Sequence, residues 1–420
     1  MIRATAPLWV GLLIGVAFGV PAGLWGIGNP ETIIRTARLV DRLLFGCFLF
    51  VTAVGAVLLY GLHALGFGMH FSPRPVYLVG VTVGGLLFGT GAAIGGYFPG
   101  TEMIALGEGR REVLWAIPGG LLGAAVWTLL YQSEFGRWLV SAANFGDLVV
   151  TGAIADIRPI SIFIAAVVYA GIALTLLYFL PRYKGGKHCC LRQVTRTPGD
   201  GHDQKFAMDT AAYLAEGAAG PRGARPETRF QRLTARQVTD SNLYARTISA
   251  VAFAVAVVVV LSLFLRQPFG QSTTYSWVVG HLFMPDYVYS QEVFASIGWE
   301  PLTDVGVLFG AMFSAVFISG RFNAFRPVVP PSWRNRFGPS SGKRAVGCFT
   351  GSFLVLFGAR MAGGCTSGHT LSGGVQLSIS GWLFTSAMLV AMVIAARLVY
   401  GDAPWETRPS GLEKRFEEVP

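Results

Sequence analysis

Long apolar runs recur along the whole chain, and they limit the folds that it can adopt. Of the 420 residues, 52% are hydrophobic and 13% are charged, whereas soluble proteins carry about 25% charged residues. The sequence therefore predicts an all-α polytopic membrane protein, in a lipid bilayer, with about nine transmembrane helices. Runs of about 17 to 25 residues, the length that a helix needs to cross a bilayer, lie near residues 7–28, 40–64, 76–97, 113–132, 160–181, 247–265, 302–320, 345–364 and 376–399.

Lysine and arginine are distributed unevenly between the predicted loops, and cytoplasmic loops are enriched in them. Residues 182–246 contain twelve and residues 321–344 contain six, whereas residues 267–300 contain none. With nine spans, this distribution places the N-terminus outside and the C-terminus in the cytoplasm. The formal net charge of +10 is explained by this topology. Because the basic residues are dispersed and not interleaved with stacking aromatics, no nucleic-acid partner is expected.

The basic segment divides the chain into two membrane halves. Residues 182–246 are rich in Gly, Pro, Arg and Thr and lack apolar periodicity, so they are predicted to form a cytoplasmic linker. Residues 1–181 are the N-terminal half and residues 247–400 the C-terminal half, followed by a cytoplasmic tail at 401–420.

No metal site and no cofactor are predicted. His188, Cys189 and Cys190 lie in the linker, but adjacent cysteines cannot readily chelate one ion, and the chain has no CxxC pair. The chain also has no GxxxxGK[ST] motif for ATP.

A glycine-rich motif occurs twice. "GGLLFGTGAAIGGYFPGT" at residues 84–101 aligns, with a one-residue gap, with "GSFLVLFGARMAGGCTSGH" at 351–369, so that Gly95 and Gly96 fall on Gly363 and Gly364. Each copy ends an apolar run and precedes a segment too short to cross, then another full run. Because the copies lie an odd number of crossings apart, they predict an inverted pseudo-repeat with two broken helices that meet near the bilayer centre. The repeat cores span residues 38–132 and 302–400.

The breaks place polar groups where substrate would pass. Irregular backbone at membrane depth is tolerated only in a cavity or inside protein, and amides at the start of a short helix can bind an anion. Pro99 suits the first position of the helix after the first break, and Thr366 or Ser367 suits the cap position after the second.

Arg360 lies inside an apolar run, where a charge is costly and indicates a functional role. Its side chain is predicted either to attract an anion or to pair with Glu102, Glu108 or a backbone carbonyl.

Three segments resemble the YeeE/YedE family of sulfur-transport membrane proteins, whose members include bacterial thiosulfate uptake permeases. They are "GGYFPGTEMIALGEGRRE" at 95–112, "FGAMFSAVFISGRF" at 309–322 and "GARMAGGCTSGHTLSGG" at 358–374. The resemblance implies an all-helical inner-membrane protein with short re-entrant helices. It also implies that a sulfur oxyanion passes along pore cysteines, and the matching cysteine of this chain is Cys365.

One position departs from the family pattern. The first-half motif of the family commonly has a cysteine before Pro-Gly-Thr, whereas this chain reads "GYFPGT", with Phe98 at that place. A phenyl ring cannot donate a hydrogen bond as a thiol does. Either Cys47 supplies the missing sulfur, or the protein handles a different sulfur compound, or its substrate path contains one cysteine fewer.

The predicted substrate-binding residues lie at the two breaks, with one addition from the second span. His369 is expected to contact the substrate, take a proton or cap the break, and packing alone could explain Cys47 and Cys348. The full set is Cys365, Thr366, Ser367, Gly364, Gly368, His369, Arg360, Gly96, Phe98, Pro99, Gly100, Thr101 and Cys47.

The sequence predicts a transporter, not an enzyme: a bacterial inner-membrane permease for a sulfur-containing anion, thiosulfate first. A permease for another sulfur or selenium compound is one alternative. The other is a membrane-bound sulfur-transfer enzyme with Cys365 as sulfane-sulfur acceptor, because a helix N-terminus and Arg360 would favour a thiolate. A cytosolic sulfur-carrier or sulfurtransferase protein is a candidate partner.

Overall fold

The computed structural model describes residues 2–25, 27–39, 43–179, 241–318, 325, 327, 329–338 and 340–401. The predicted linker, with His188, Cys189 and Cys190, and the predicted tail lie almost wholly outside these residues.

The described chain is helical, apart from loops and four two-residue strands. Strand β1 (Ile2–Arg3) pairs in parallel with β2 (Phe67–Gly68), and β3 (Leu148–Val149) pairs antiparallel with β4 (Gly152–Ala153). The helices of the first half are α1 (Val10–Trp25), α2 (Pro30–Ala37), α3 (Leu43–Ala64), α4 (Leu78–Gly95), α5 (Pro99–Gly107), α6 (Val113–Tyr131), α7 (Glu134–Ser141) and α8 (Pro159–Phe179). Those of the second half are α9 (Ser241–Leu265), α10 (Thr273–Leu282), α11 (Val288–Ser296), α12 (Glu300–Phe313), α13 (Pro331–Phe337), α14 (Ser341–Met361) and α15 (Ile379–Tyr400), with π-helical segments at Ser314–Ile318 and Ser367–Gly373.

Each predicted apolar run coincides with a helix, namely α1, α3, α4, α6, α8, α9, α12, α14 and α15. Within the described residues, 6 helical segments are long and apolar enough to cross a membrane, and Val10–Leu24 and Ala250–Leu265 are shorter apolar helices. The all-α polytopic fold is thus confirmed. The number of nine crossings stays a prediction.

The two glycine-rich helices, α4 and α14, pack against each other at backbone distance. A Cβ on Gly84 would lie 2.5 Å from the carbonyl oxygen of Gly358, and a Cβ on Gly91 would lie 2.4 Å from that of Gly351. Small residues permit such close contact between membrane helices. The later residue of α4 meets the earlier residue of α14, so the two helices run antiparallel, as expected for an inverted repeat.

The final helix of each repeat core packs on the glycine-rich helix of the other core. Helix α15 packs on α4, where a Cβ on Gly89 would lie 2.2 Å from the carbonyl oxygen of Met388. Helix α6 packs on α14 in the same way, with Gly119 against the carbonyl oxygen of Phe349 at 2.2 Å. Each glycine-rich helix is therefore covered by a helix of the other half.

Replacing Gly84 by alanine is expected to lower the melting temperature of the protein in detergent. The new methyl group would meet the backbone of α14, and overpacking of this kind costs about 1 to 3 kcal/mol. Gly171→Ala is the matched control, because a Cβ at Gly171 on α8 meets nothing within 4 Å. Equal melting temperatures for the two variants would contradict the close α4/α14 contact.

Two short helices, α2 and α10, lie outside the predicted spans. Every residue of Pro30–Ala37 is buried. Helix α10 begins after the polar run Gln271–Ser272, both of which are also buried. Helix α5 and the π-helical segment Ser367–Gly373 are also largely buried, whereas α10 ends at the exposed Leu282.

Candidate functional site

The second break lies between α14 and the π-helical segment. Helix α14 ends at Met361, and Gly363 adopts a left-handed backbone (φ 77°) that turns the chain. The first break has its left-handed residue at Gly96 (φ 72°). Gly96 therefore matches Gly363, one position away from the Gly364 of the predicted alignment.

Cys365 follows this turn and is buried, with 1% of its surface exposed. Its Sγ lies 3.0 Å from Oγ of Ser367, and its carbonyl oxygen accepts the N–H of His369 at 2.7 Å. Thr366 occupies the predicted cap position, but its side chain makes no cap hydrogen bond within the described residues. Thiol and hydroxyl therefore form one polar pair at the start of the π-helical segment.

His369 holds the turn together. Its Nε2 lies 2.9 Å from the carbonyl oxygen of Ala362, and its ring stacks on Phe384 with centroids 4.7 Å apart. Because a carbonyl only accepts hydrogen bonds, Nε2 carries the proton, and in the neutral ring Nδ1 is an acceptor. This arrangement favours capping of the break over donation to an anion.

Arg360 points from α14 to the start of α10. The side chain is buried, Nη1 donates to Oγ1 of Thr273 at 3.1 Å, and Nη2 donates to Oγ of Ser272. The predicted pairing with Glu102 or Glu108 is wrong. Oxygens of Glu102 accept hydrogen bonds from Tyr275 and Ser352, and Glu108 pairs with Arg110 at 3.1 Å.

This site therefore holds a cation near Cys365. Cys365 lies within electrostatic reach of Arg360, as does Glu300. At the start of α10, the Arg360 guanidinium donates to hydroxyl groups and not to carboxylates. A buried guanidinium in such surroundings favours an approaching anion.

The first break faces the second half of the chain. Pro99 is the first residue of α5, as predicted, and Oγ1 of Thr101 accepts the N–H of Phe98 at 2.7 Å. A Cβ on Gly100 would lie only 1.8 Å from Oε1 of Gln271, just before α10. Thr101 thus shapes the turn, whereas Gly100 gives the Gln271 side chain room.

Phe98 belongs to a column of rings that joins the two breaks. It stacks on Phe88 at 5.5 Å and contacts Phe48 at 6.4 Å, and Phe88 meets Phe384 at 5.2 Å. The ring of His369 stacks on Phe384, so the column of rings reaches the second break. The position that holds a thiol in the family pattern is therefore an apolar contact here.

The other two described cysteines are also buried. Cys348 is fully buried with Tyr97, Ala105 and Val113. Cys47 lies in the main apolar core, one residue before Phe48.

A polar cavity of about 310 Å³ opens beside the second break. Arg74 lines this cavity, and its Nε lies 3.7 Å from the place that a Cβ on Gly364, the residue before Cys365, would occupy. Sequence reasoning missed Arg74, although its place between two prolines just before a span was a signal. The lining residues that bear charged or polar side chains include His70, Arg74, Arg266, Gln267, Thr273 and Glu300.

Arg344 occupies the matching place at the first break. It is fully buried near the start of α14, and Nη2 donates to the carbonyl oxygen of Gly95 at 2.5 Å. The guanidinium lies over the rings of Tyr97 and Trp333 at 5.6 and 5.2 Å. An arginine from the other half of the chain therefore lies at each break. Arg344 of α14 lies at the first break, and Arg74, in the loop before α4, lies at the second.

Comparison with known proteins agrees with this architecture. The chain is 25% identical over 376 residues to the thiosulfate transporter TsuA of Spirochaeta thermophila, an alignment that covers 90% of this chain and 94% of the relative. The family model for sulphur transport matches residues 33–394. The chain therefore belongs to the sulphur transport (YeeE/YedE) family of membrane transporters.

Proposed function

We propose that this protein is an inner-membrane permease that takes up thiosulfate through a narrow path lined by Cys365. The observation that carries the proposal is the buried guanidinium of Arg360, which donates to the hydroxyls of Ser272 and Thr273 at the start of α10, near the Cys365 break. Family membership and the name of the relative support a sulfur anion as the substrate.

The path begins in the polar cavity, where Arg74 and Arg266 attract the anion. The anion then passes Cys365 and Ser367, whose thiol and hydroxyl replace part of its hydration shell. It leaves past Gly100 and Phe98 toward Arg344. Weak donors suit this task, because a substrate that binds too tightly cannot leave a channel-like site.

The cavity faces the outside of the cell in this proposal. Arg266 ends a predicted span whose other end joins the strongly basic linker, and basic loops are retained in the cytoplasm. Arg344 and the Arg110–Arg111 pair lie at the opposite end, toward the cytoplasm. The N-terminus is then outside and the C-terminus inside, and a cytosolic sulfurtransferase or sulfur carrier would receive the substrate.

Competition in liposomes tests the choice of substrate. Uptake of labelled thiosulfate by the purified protein should saturate, and unlabelled thiosulfate should compete far better than chloride at equal concentration. Chloride competing as well as thiosulfate would contradict the proposal.

Phe98→Cys is expected to preserve or raise thiosulfate uptake, because it restores the thiol of the family pattern at the first break. The same change removes a ring that stacks on Phe88, so a lower melting temperature is expected as well. Uptake in liposomes and melting in detergent measure the two effects.

Phe48→Cys is the matched control for this change, since it removes the neighbouring ring without restoring the pattern. A folded Phe98→Cys protein with reduced thiosulfate uptake would instead indicate that Phe98 is adapted to another sulfur or selenium compound.

A further inference from the structure

A buried acid lies in the same part of the protein as Cys365. Asp304, near the start of α12, is 4% exposed and lies within electrostatic reach of Cys365. Neither of its Oδ atoms makes a hydrogen bond of standard geometry with any described residue. An ionised carboxylate in such a place is costly in free energy.

Two polar side chains from the loop before α10 and from its first turn face this carboxylate. Gln271, which is 3% exposed, and Thr274 both interact with the Asp304 carboxylate as weak hydrogen-bond donors. Nε2 of Gln271 and Oγ1 of Thr274 make no hydrogen bond of standard geometry with any described residue. Because Gln271 also contacts Gly100, this polar cluster lies between both breaks and Asp304.

The neighbouring acid on α12 is in a different electrostatic position. Glu300, one turn before Asp304, accepts the N–H of Thr273 and lies within reach of Arg360. Its carboxylate therefore faces the first turn of a helix and a guanidinium. Asp304 has no such cation at hydrogen-bond distance in the described residues.

The other elements packed on α12 contribute few titratable groups. On α10, Tyr275 lies within reach of Asp304, and on α5 both oxygens of Glu102 are already hydrogen-bonded. Helix α1, Val10–Trp25, has no titratable side chain. Asp304 is therefore the carboxylate best placed to change its charge when an anion arrives at Cys365.

We propose that Asp304 is a proton-binding site that couples anion uptake to an inward proton gradient. Ionised Asp304 repels a thiosulfate dianion at Cys365, whereas the neutral acid does not. By linkage, anion binding favours protonation of Asp304 and protonation favours anion binding. The proton adds to Oδ from the outer cavity and leaves to the cytoplasm after the anion, with no covalent change in the substrate.

This inference rests on the proposed function, and uptake by the full-length protein in sodium-free liposomes tests it. For the wild type, with the membrane potential held at zero, an inside-alkaline gradient of one pH unit should raise thiosulfate accumulation up to about tenfold, the limit for one coupled proton. Asp304→Asn should abolish this stimulation. Asp286→Asn, a change at an exposed acid, should keep it.

Exchange of thiosulfate without any gradient separates the two proposals. If the wild type exchanges thiosulfate but ignores the pH gradient, or responds only to an inward sodium gradient, the proton site is wrong. If it does not exchange thiosulfate at all, the proposed substrate is wrong.

A direct readout does not depend on a folded variant. Thiosulfate added to wild-type protein in weakly buffered detergent should cause proton uptake, visible with a pH dye. No uptake on saturating thiosulfate, or unchanged uptake in a folded Asp304→Asn protein, would overturn the assignment.

Discussion

Replacing Cys365 by alanine is expected to lower thiosulfate uptake at least about tenfold. The change removes a donor from a desolvated site, and a lost hydrogen bond to a charged group costs roughly 1.5 to 3 kcal/mol. Cys365→Ser should retain part of the uptake because a hydroxyl also donates. Initial uptake rates in liposomes at equal amounts of inserted protein measure the effect.

Cys348→Ala is the matched control, since Cys348 is as deeply buried as Cys365 but packs among apolar side chains and Tyr97. It should transport nearly as the wild type. A Cys365→Ala protein that inserts, stays folded and transports at the wild-type rate would identify this cysteine as a packing residue.

Arg360→Gln is expected to have a larger effect, about tenfold to a hundredfold or more on uptake. The change removes the positive charge beside Cys365 and weakens the hydrogen bonds to Ser272 and Thr273, each of a kind worth roughly 1.5 to 3 kcal/mol. Uptake by Arg360→Lys should be intermediate, because lysine keeps the charge but lacks the planar guanidinium that donates two hydrogen bonds in a fixed geometry.

The concentration dependence of uptake separates electrostatic attraction from a purely structural role. Arg360→Gln should raise KM for thiosulfate strongly, whereas Arg397→Gln, at an exposed arginine on α15, should change neither KM nor the maximal rate. An Arg360→Gln protein with unchanged KM would contradict the role of Arg360 in anion binding.

The long helices could be predicted from the sequence because hydropathy is a local property. Hydropathy did not predict the helices at Pro30–Ala37 and Thr273–Leu282, because both are too short and too polar to be recognised as spans. The Asn29–Pro30 pair, a cap followed by a first-turn proline, was the available signal for the first of them.

The partners of the polar side chains could not be read from the chain. Glu102 bonds Tyr275 and Ser352, which lie 173 and 250 positions away, so only the packed fold excludes its pairing with Arg360. Asp304 is different, because it lies inside a predicted span. Like Arg360, it is a charged residue in an apolar run, so the same sequence signal marked both residues.

Thiosulfate labelled separately on its two sulfur atoms distinguishes passage of the intact anion past Cys365 from transfer of one sulfur atom to the protein. With purified protein in liposomes, both labels should appear inside in equal amounts as thiosulfate, and Cys365→Ala should reduce both together. Labels that arrive split, or one label bound to the protein, would contradict a permease and indicate sulfur transfer.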